Sequence, residues 1–333
     1  MNPEFTTAVA PDATDAQANR PSTELSLTRV GVTGVEKILH VAQPDAEPQL
    51  YYADLECFVD LEPRQAGVHM SRFEEVVGEA IDAVVLREAF KAEVLAEHIA
   101  EQVRERQGGV RAEVTIAARY PETVTTPESR RSTQEIYTLF GTAVSSVRGI
   151  RTVTGVQAQG MTACPCAQGM VADRARARLS EQGFDGAETE RILEAVPVAT
   201  HNQRGIGSLH IGRPEGTSIE LDARDLLSIV ESSMSSEIFG LMKRSDEVSV
   251  VERAHRHPRF VEDCVREMVR GVTERYPDLP DDAFLLARQE NLETIHRHNV
   301  VAERAGTLGE IRAELATGEH SRRHTTRREW LEA

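Results

Sequence analysis

Two thiols one proline apart, Cys164 and Cys166 in "GMTACPCAQ" at 160–168, are the first residues whose types and spacing suggest chemistry. A Cys-x-Cys pair is too strained to make an attractive disulfide. As a metal clasp it is incomplete, because iron or zinc takes further ligands from elsewhere. The plain alternative is a proline-stiffened turn at a strand end with sulfur packed inside. Partners decide between these readings. Four stretches offer them: "THNQR" at 200–204, "KRSDE" at 243–247, "HPRFVED" at 257–263 and "QENLETIHRHN" at 289–299.

Each partner also has an ordinary reading. His201 could be a histidine facing water at a strand start. Glu247 could be a solvated acid in a loop between helices. Glu262 falls in the first turn of a helix, where the dipole stabilises an acid without any function. It nevertheless precedes Val265 by three and Val269 by seven, at the edge of a buried stripe. On a strand, Gln289, Asn291 and Glu293 point to one face, a polar choice beside Leu285 and Ala287. Glu293 and His296 share a face only if the chain turns at the strand's end. A carboxylate and an imidazole joined there suit a first-row metal; an exposed ion pair is the alternative.

The elements that must position these residues follow a doubled pattern, which makes the fold class α+β. Residues 1–23 are rich in Ala, Asp, Pro and Thr and read as a disordered lead-in. From 24 to 150 the order is ββααββ. Strand character in "ELSLTRVGVTGV" leads to "YYADLECFVDLE", where Ala53, Leu55, Cys57, Val59 and Leu61 alternate with polar neighbours and put Cys57 in the core. Phe73, Val76, Val77, Ala80, Ile81, Val84 and Val85 mark one helix, and Leu95, Ile99 and Val103 a second that Gly108 and Gly109 end. "VRAEVTIAARY" and "EIYTLFGTAVSSV" supply the closing strands. Residues 151–317 repeat the order, with helices over roughly 223–242 and along the stripe Val261, Cys264, Val265, Met268, Val269, Val272, and strands in "AFLLARQENLET" and "NVVAERAGTLGEIRAEL". The repeat is interrupted by a helical insertion at 169–199 and followed by a tail at 318–333. Each unit is an antiparallel sheet with a helix pair on one face, and its open edges invite pairing with another copy.

In this order, "GMTACPCAQ", "THNQRG", "LMKRSDE", "FVED" and "ENLETIHRHN" resemble the GTP cyclohydrolases of type IB and their archaeal methanopterin-pathway relatives, as does "GVHMSRFEE" at 67–75. The resemblance runs from about residue 25 to 317. It implies the tunnelling fold, tandem ββααββ units closing into a barrel across subunits, and a homo-oligomer, dimer or tetramer. It implies a hydrolase that opens GTP at C8, releases formate and forms a 7,8-dihydroneopterin phosphate for pterin biosynthesis.

Carried over by position, Cys164 is implied as a metal ligand, with Glu247, Glu293 and His296 as the other metal-side residues. His201 is implied as the catalytic proton donor and Glu262 as the purine anchor. Between 237 and 247 the metal-side acid stays open among Glu237, Asp246 and Glu247, and Cys166 and His69 receive no role. The triphosphate needs cations; Lys243, Arg244 and Arg204 are candidates. The implied cofactor is a divalent metal, most often Fe(II), and the same oxygen, nitrogen and sulfur donors accept zinc or manganese. The insertion resembles the archaeal branch, whose product is 7,8-dihydroneopterin 2′,3′-cyclic phosphate; the bacterial branch leaves a triphosphate. A nitrile reductase of the same fold, with Cys164 as covalent nucleophile, is the competing class. It leaves the Glu-x-x-His pair without a metal and would survive a chelator.

Composition narrows the partners. With 54 acidic against 38 basic residues and a net charge of -16, most of this surface repels nucleic acid. The only lysines are Lys37, Lys91 and Lys243, and an acid-rich, lysine-poor chain is expected of a protein kept soluble in very high salt. No apolar run approaches the ~20 residues of a membrane span. The first residues lack the basic start and apolar core of a signal peptide, so the expected location is the cytoplasm. The four cysteines, Cys57, Cys164, Cys166 and Cys264, are not expected to form a disulfide framework there.

Overall fold

The computed structural model describes residues 20–43, 46–83, 91–217, 219–321 and 323–333. Most of the lead-in, and the helix positions Val84 and Val85, lie outside them. Strands β1 (Leu27–Gln43) and β2 (Ala46–Leu61) pair antiparallel, Val32 opposite Cys57. Helices α1 (Met70–Ala83) and α2 (Ala92–Gln107) follow, then β3 (Arg111–Thr125) and β4 (Ser132–Ser146). Alternation decides which face of β2 is buried: Ala53, Leu55, Cys57, Val59 and Leu61 join one core with Phe73 and Val77 of α1 and Leu95 and Ile99 of α2. That burial pushes the Cys57 thiol up to about 12, so it stays protonated. Gly108 closes α2 at φ 66, a left-handed position that only glycine takes without strain.

The second half opens with β5 (Gly149–Ala163) and the helices α3 (Pro165–Glu181) and α4 (Gly186–Ala195), then β6 (Asn202–Arg213). Next come α5 (Ala223–Ser233), the short β7 (Ser236–Glu237), α6 (Arg244–Arg256) and α7 (Val261–Arg275). Strands β8 (Phe284–Leu292) and β9 (Val300–Thr307) and helices α8 (Leu308–Thr317) and α9 (Arg327–Glu332) complete the chain. Among the described residues the strands form one antiparallel sheet in the order β1-β2-β3-β4-β5-β6-β8-β9, with β7 on β5. The two halves meet in a hairpin where Ser146 pairs with Gly149, so a single sheet runs through both. Helices α5 and α7 cover the second half, with Leu226, Val230, Cys264, Met268 and Val272 in the core. No helix among the described residues is long and apolar enough to cross a membrane.

Four local readings change. The helix expected over 223–242 stops at Ser233, because Ser235 and Ser236 turn back to β5: the Ser235 hydroxyl accepts the Ala163 N–H at 3.1 Å, and Ser236 pairs with Met161. The strand expected in "NVVAERAGTLGEIRAEL" ends at Thr307, whose hydroxyl accepts the Glu310 N–H while the Glu310 carboxylate accepts the Thr307 N–H. That capping box starts α8. Helix α6 carries only Val250 and Ala254 as buried apolar residues, too thin a stripe for periodicity to reveal. The tail ends in α9, which stacks Trp330 on Phe284 at 5.8 Å and donates its indole N–H to the Asp282 carbonyl.

Candidate active site

The β5–β6 ladder ends at Ala163 opposite Asn202, and one more hydrogen bond follows it, Cys164 N–H to the His201 carbonyl at 3.1 Å. Continuing the register sets Cys164 across from His201, where facing residues share a side of the sheet. Cys164 is also the N-cap of α3, its sulfur 3.5 Å from the Ala167 amide, with Pro165 at the first helical position. The Thr200 hydroxyl donates to the Cys164 carbonyl at 2.9 Å, and the Arg259 N–H to the Ala163 carbonyl at 3.0 Å. A strand end, a helix start and the approach to α7 thus converge on one half-buried thiol. Cys166, one residue into α3, is exposed, and neither sulfur is in a disulfide.

Strand β8 lies beside β6 with Leu292 opposite Arg204. The polar face read from the sequence is buried: Gln289 is 0% exposed and Asn291 2%, and the Glu293 side chain is 6% exposed. Neighbouring glycines make room for it. A Cβ at Gly205 would come within 2.3 Å of Gln289 Nε2, and one at Gly207 within 2.6 Å of the Val230 side chain. Past Leu292 the chain turns, pinned by the Thr294 hydroxyl on the Asn202 carbonyl at 3.0 Å. His201 Nδ1 sits 3.1 Å from Gln203 Oε1 and 3.7 Å from Glu293 Oε2. With the amide oxygen toward the ring, Nδ1 carries the hydrogen and Nε2 is left to exchange a proton. The exposed His296 ring stands edge-on to His201, centroids 6.3 Å apart.

Glu293 Oε2 is buried with no hydrogen-bond donor among the described residues, as are Gln289 Oε1 and Thr162 Oγ1. An unmatched buried carboxylate oxygen is costly unless a cation or donor completes it. Thiolate, imidazole and carboxylate are a donor set that first-row divalent metals accept, so Cys164, Glu293 and His296 fit such an ion in kind. Among the described residues no three of their ligating atoms lie within 4.8 Å of one another, so gathering them on one cation needs side-chain rotation.

The other expected residues lie elsewhere on this chain. Glu247, Lys243 and Arg244 are exposed where α6 begins, while the far end of that helix brings His255 Nε2 to 3.4 Å of the Thr200 carbonyl. Asp246, between them, is buried and fully used. Its carboxylate accepts the N–H groups of Glu128, Ser129 and Lys243 and the Ser129 hydroxyl, at 2.6 to 2.9 Å, which fills its four lone-pair sites. Desolvation opposes its charge, but the Ser129 and backbone hydrogen bonds win and hold the carboxyl well below the usual range. Glu237 on β7 pairs with Arg253 at 3.6 Å. Arg204 is exposed and, by strand alternation, on the opposite face of β6 from Gln203. Glu262 is exposed on α7 and lines a groove of about 450 Å³ with Arg266, Glu303, Arg304 and Glu314. One chain therefore gathers Cys164, His201, Glu293 and His296 and leaves Lys243, Arg244 and Glu247 at the start of α6, Arg204 on the other face of β6 and Glu262 in the α7 groove. Sequence reasoning missed Gln203 as the imidazole's partner; the spacing of His201 and Gln203, two apart on a strand, was the available signal.

A family model described as "Type I GTP cyclohydrolase folE2" matches residues 13–302. The GTP cyclohydrolase MptA of Methanococcus aeolicus is 41% identical over 307 residues, 90% of this chain and 99% of that protein. The GTP cyclohydrolase MptA of Methanocaldococcus jannaschii is 39% identical over 310 residues, 92% of this chain and 98% of that one. Among solved structures, the uricase from Arthrobacter globiformis aligns with a TM-score of 0.51 at 10% identity, over 89% of this chain and 96% of that one. At that identity the likeness concerns the fold alone.

Proposed function

Because the chain belongs to the type I GTP cyclohydrolase family, we propose that it is a metal-dependent GTP cyclohydrolase whose product is 7,8-dihydroneopterin 2′,3′-cyclic phosphate, made for tetrahydromethanopterin-type pterins. The observation that carries the metal dependence is the buried Glu293 Oε2, without a donor among the described residues and 3.7 Å from His201 Nδ1. In this reading Cys164, Glu293 and His296 hold a divalent ion, Fe(II) first and zinc or manganese as substitutes. When bound, the ion supplies Lewis acidity that makes water attack C8 at neutral pH.

The chain's own residues do the rest. His201, held by Gln203, passes protons to the imidazole nitrogens of the purine as the ring opens and formate leaves. Glu262 accepts the guanine N1–H and 2-amino hydrogens together, a bidentate grip on the base. Lys243, Arg244 and Arg204 meet the triphosphate. Their exposure, and that of Glu247, supports a site completed by a second copy, since among the described residues β1 and β9 leave open sheet edges. The cyclic phosphate rests on the MptA relatives and on the α3–α4 insertion.

Anaerobic incubation with GTP and Fe(II), with the pterin identified by mass, tests the proposal. A cyclic monophosphate and formate are expected. A triphosphate product moves the chain to the bacterial branch. Full activity in the presence of a strong chelator, with no metal in the protein, overturns the metal dependence.

A further inference from the structure

We propose that Glu314, His320 and His324 form a second divalent-cation site, one that fastens the carboxy-terminal segment to α8 and takes a borderline ion such as Zn(II). The ligating atoms of these three residues lie within 4.8 Å of one another, the only such group among the described residues. The two imidazole rings stand 5.4 Å apart at 63°. Both histidines are exposed, and neither ring has a hydrogen-bond partner among the described residues. Glu314 is already oriented: Oε1 accepts the Ser321 N–H at 2.8 Å and Oε2 the Arg304 guanidinium at 3.1 Å. A carboxylate oxygen has two lone pairs, so each keeps one to offer.

Two imidazoles and a carboxylate, with no thiolate, suit zinc, cobalt or nickel, and three protein ligands leave positions for water. Its three ligands all follow residue 302, where the family match ends, and of them only Glu314 lines the groove that holds Glu262. Its place suggests the purpose. Between α8 and α9 the chain is tied down by the Ser321 and Thr325 contacts to Glu314 and Glu310, and then by Trp330 on Phe284. A cation shared by Glu314, His320 and His324 closes that stretch as a clasp and stabilises the seated tail by mass action.

The test uses the only tryptophan, Trp330, six residues beyond His324. Co(II) added to the full chain should quench Trp330 emission saturably, with Zn(II) reversing the quench. The double variant His320→Ala/His324→Ala should lose that quench and bind one Zn(II) equivalent fewer per chain, while Cys164→Ser keeps the quench. Because both imidazoles face water, the metal-free double variant should match the parent's urea midpoint, which separates lost binding from lost folding. Absence of a saturable quench, or an unchanged zinc count in the double variant, overturns the proposal.

Discussion

His201 Nδ1 and Glu293 Oε2 stand 3.7 Å apart, on a loop-to-strand junction and a strand-to-turn junction 92 residues distant in sequence, and the carboxylate oxygen has no donor among the described residues. The pairing is made by the β6–β8 register, which carries Gln203 and Glu293 to the same end of the same face. Replacing Glu293 by Gln keeps the shape and removes the buried charge. Activity should fall at least about 100-fold, the scale of a lost metal-side or acid–base group, with bound iron lost in parallel. Stability should hold or rise slightly, since an unmatched charge has gone. Turnover followed by pterin fluorescence, with urea midpoints, checks both; a fully active Glu293→Gln enzyme contradicts the assignment.

The two thiols of the Cys-Pro-Cys turn should behave differently. Cys164 is fixed by its own N–H on His201, its carbonyl on Thr200 and its sulfur on Ala167, whereas Cys166 faces water. Cys164→Ser should remove tightly bound iron and most activity, while Cys166→Ser should stay within about twofold of the parent, as exposed substitutions generally do. Metal content after anaerobic gel filtration is the measurement. Equal losses in the two variants would assign Cys166 a ligand's role.

Burial pushes the Glu231 carboxyl up to about 7; the Tyr137 hydroxyl donated to it at 2.8 Å opposes that shift, and Glu237, Glu135 and Glu122 add to it. Between the ordinary carboxylate pKa of about 4.3 and 7, the folded chain keeps a proton that the unfolded chain has released. Stability therefore falls as pH rises through that interval and is level above it. Partial exposure limits the effect to about 2 kcal/mol. Glu231→Gln retains an acceptor for Tyr137 and should lose about that much less than the parent between pH 5 and pH 8 in urea denaturation. Parallel curves for the two proteins would refute the shift.

With a net charge of -16 and only three lysines, the folded chain should be destabilised by its own field in dilute buffer. Screening shortens that repulsion to ~3 Å at molar salt. The melting temperature should climb from dilute buffer to multimolar KCl. A flat or falling profile would remove the high-salt reading of the composition.

Much of the site was legible because its signals are local. Placing Gln289, Asn291 and Glu293 on one face needs only strand alternation, and Cys57 and Cys264 are in the core as their periodicity required. The boundary between β9 and α8 was not legible: a capping box at Thr307 and Glu310 interrupts a run with strand-like alternation. Nor was α6, anchored by hydrogen bonds more than by a hydrophobic stripe.

By itself the sequence determined which side of each strand or helix a residue occupies, and the order of the motifs that carry the family, because side-chain direction repeats every two or 3.6 residues whatever the distant chain does. Only the tertiary structure decided which acid near 246 is spent. Three of the four hydrogen bonds that saturate Asp246 come from Glu128 and Ser129, 118 and 117 residues away in sequence, a fact set by through-space hydrogen bonding and invisible to any local pattern. It also decided that Gly205 makes room for a buried amide ladder and that the tail returns to set two histidines beside Glu314. Contacts of that kind depend on register and packing, which exist only once the sheet has closed over its helices.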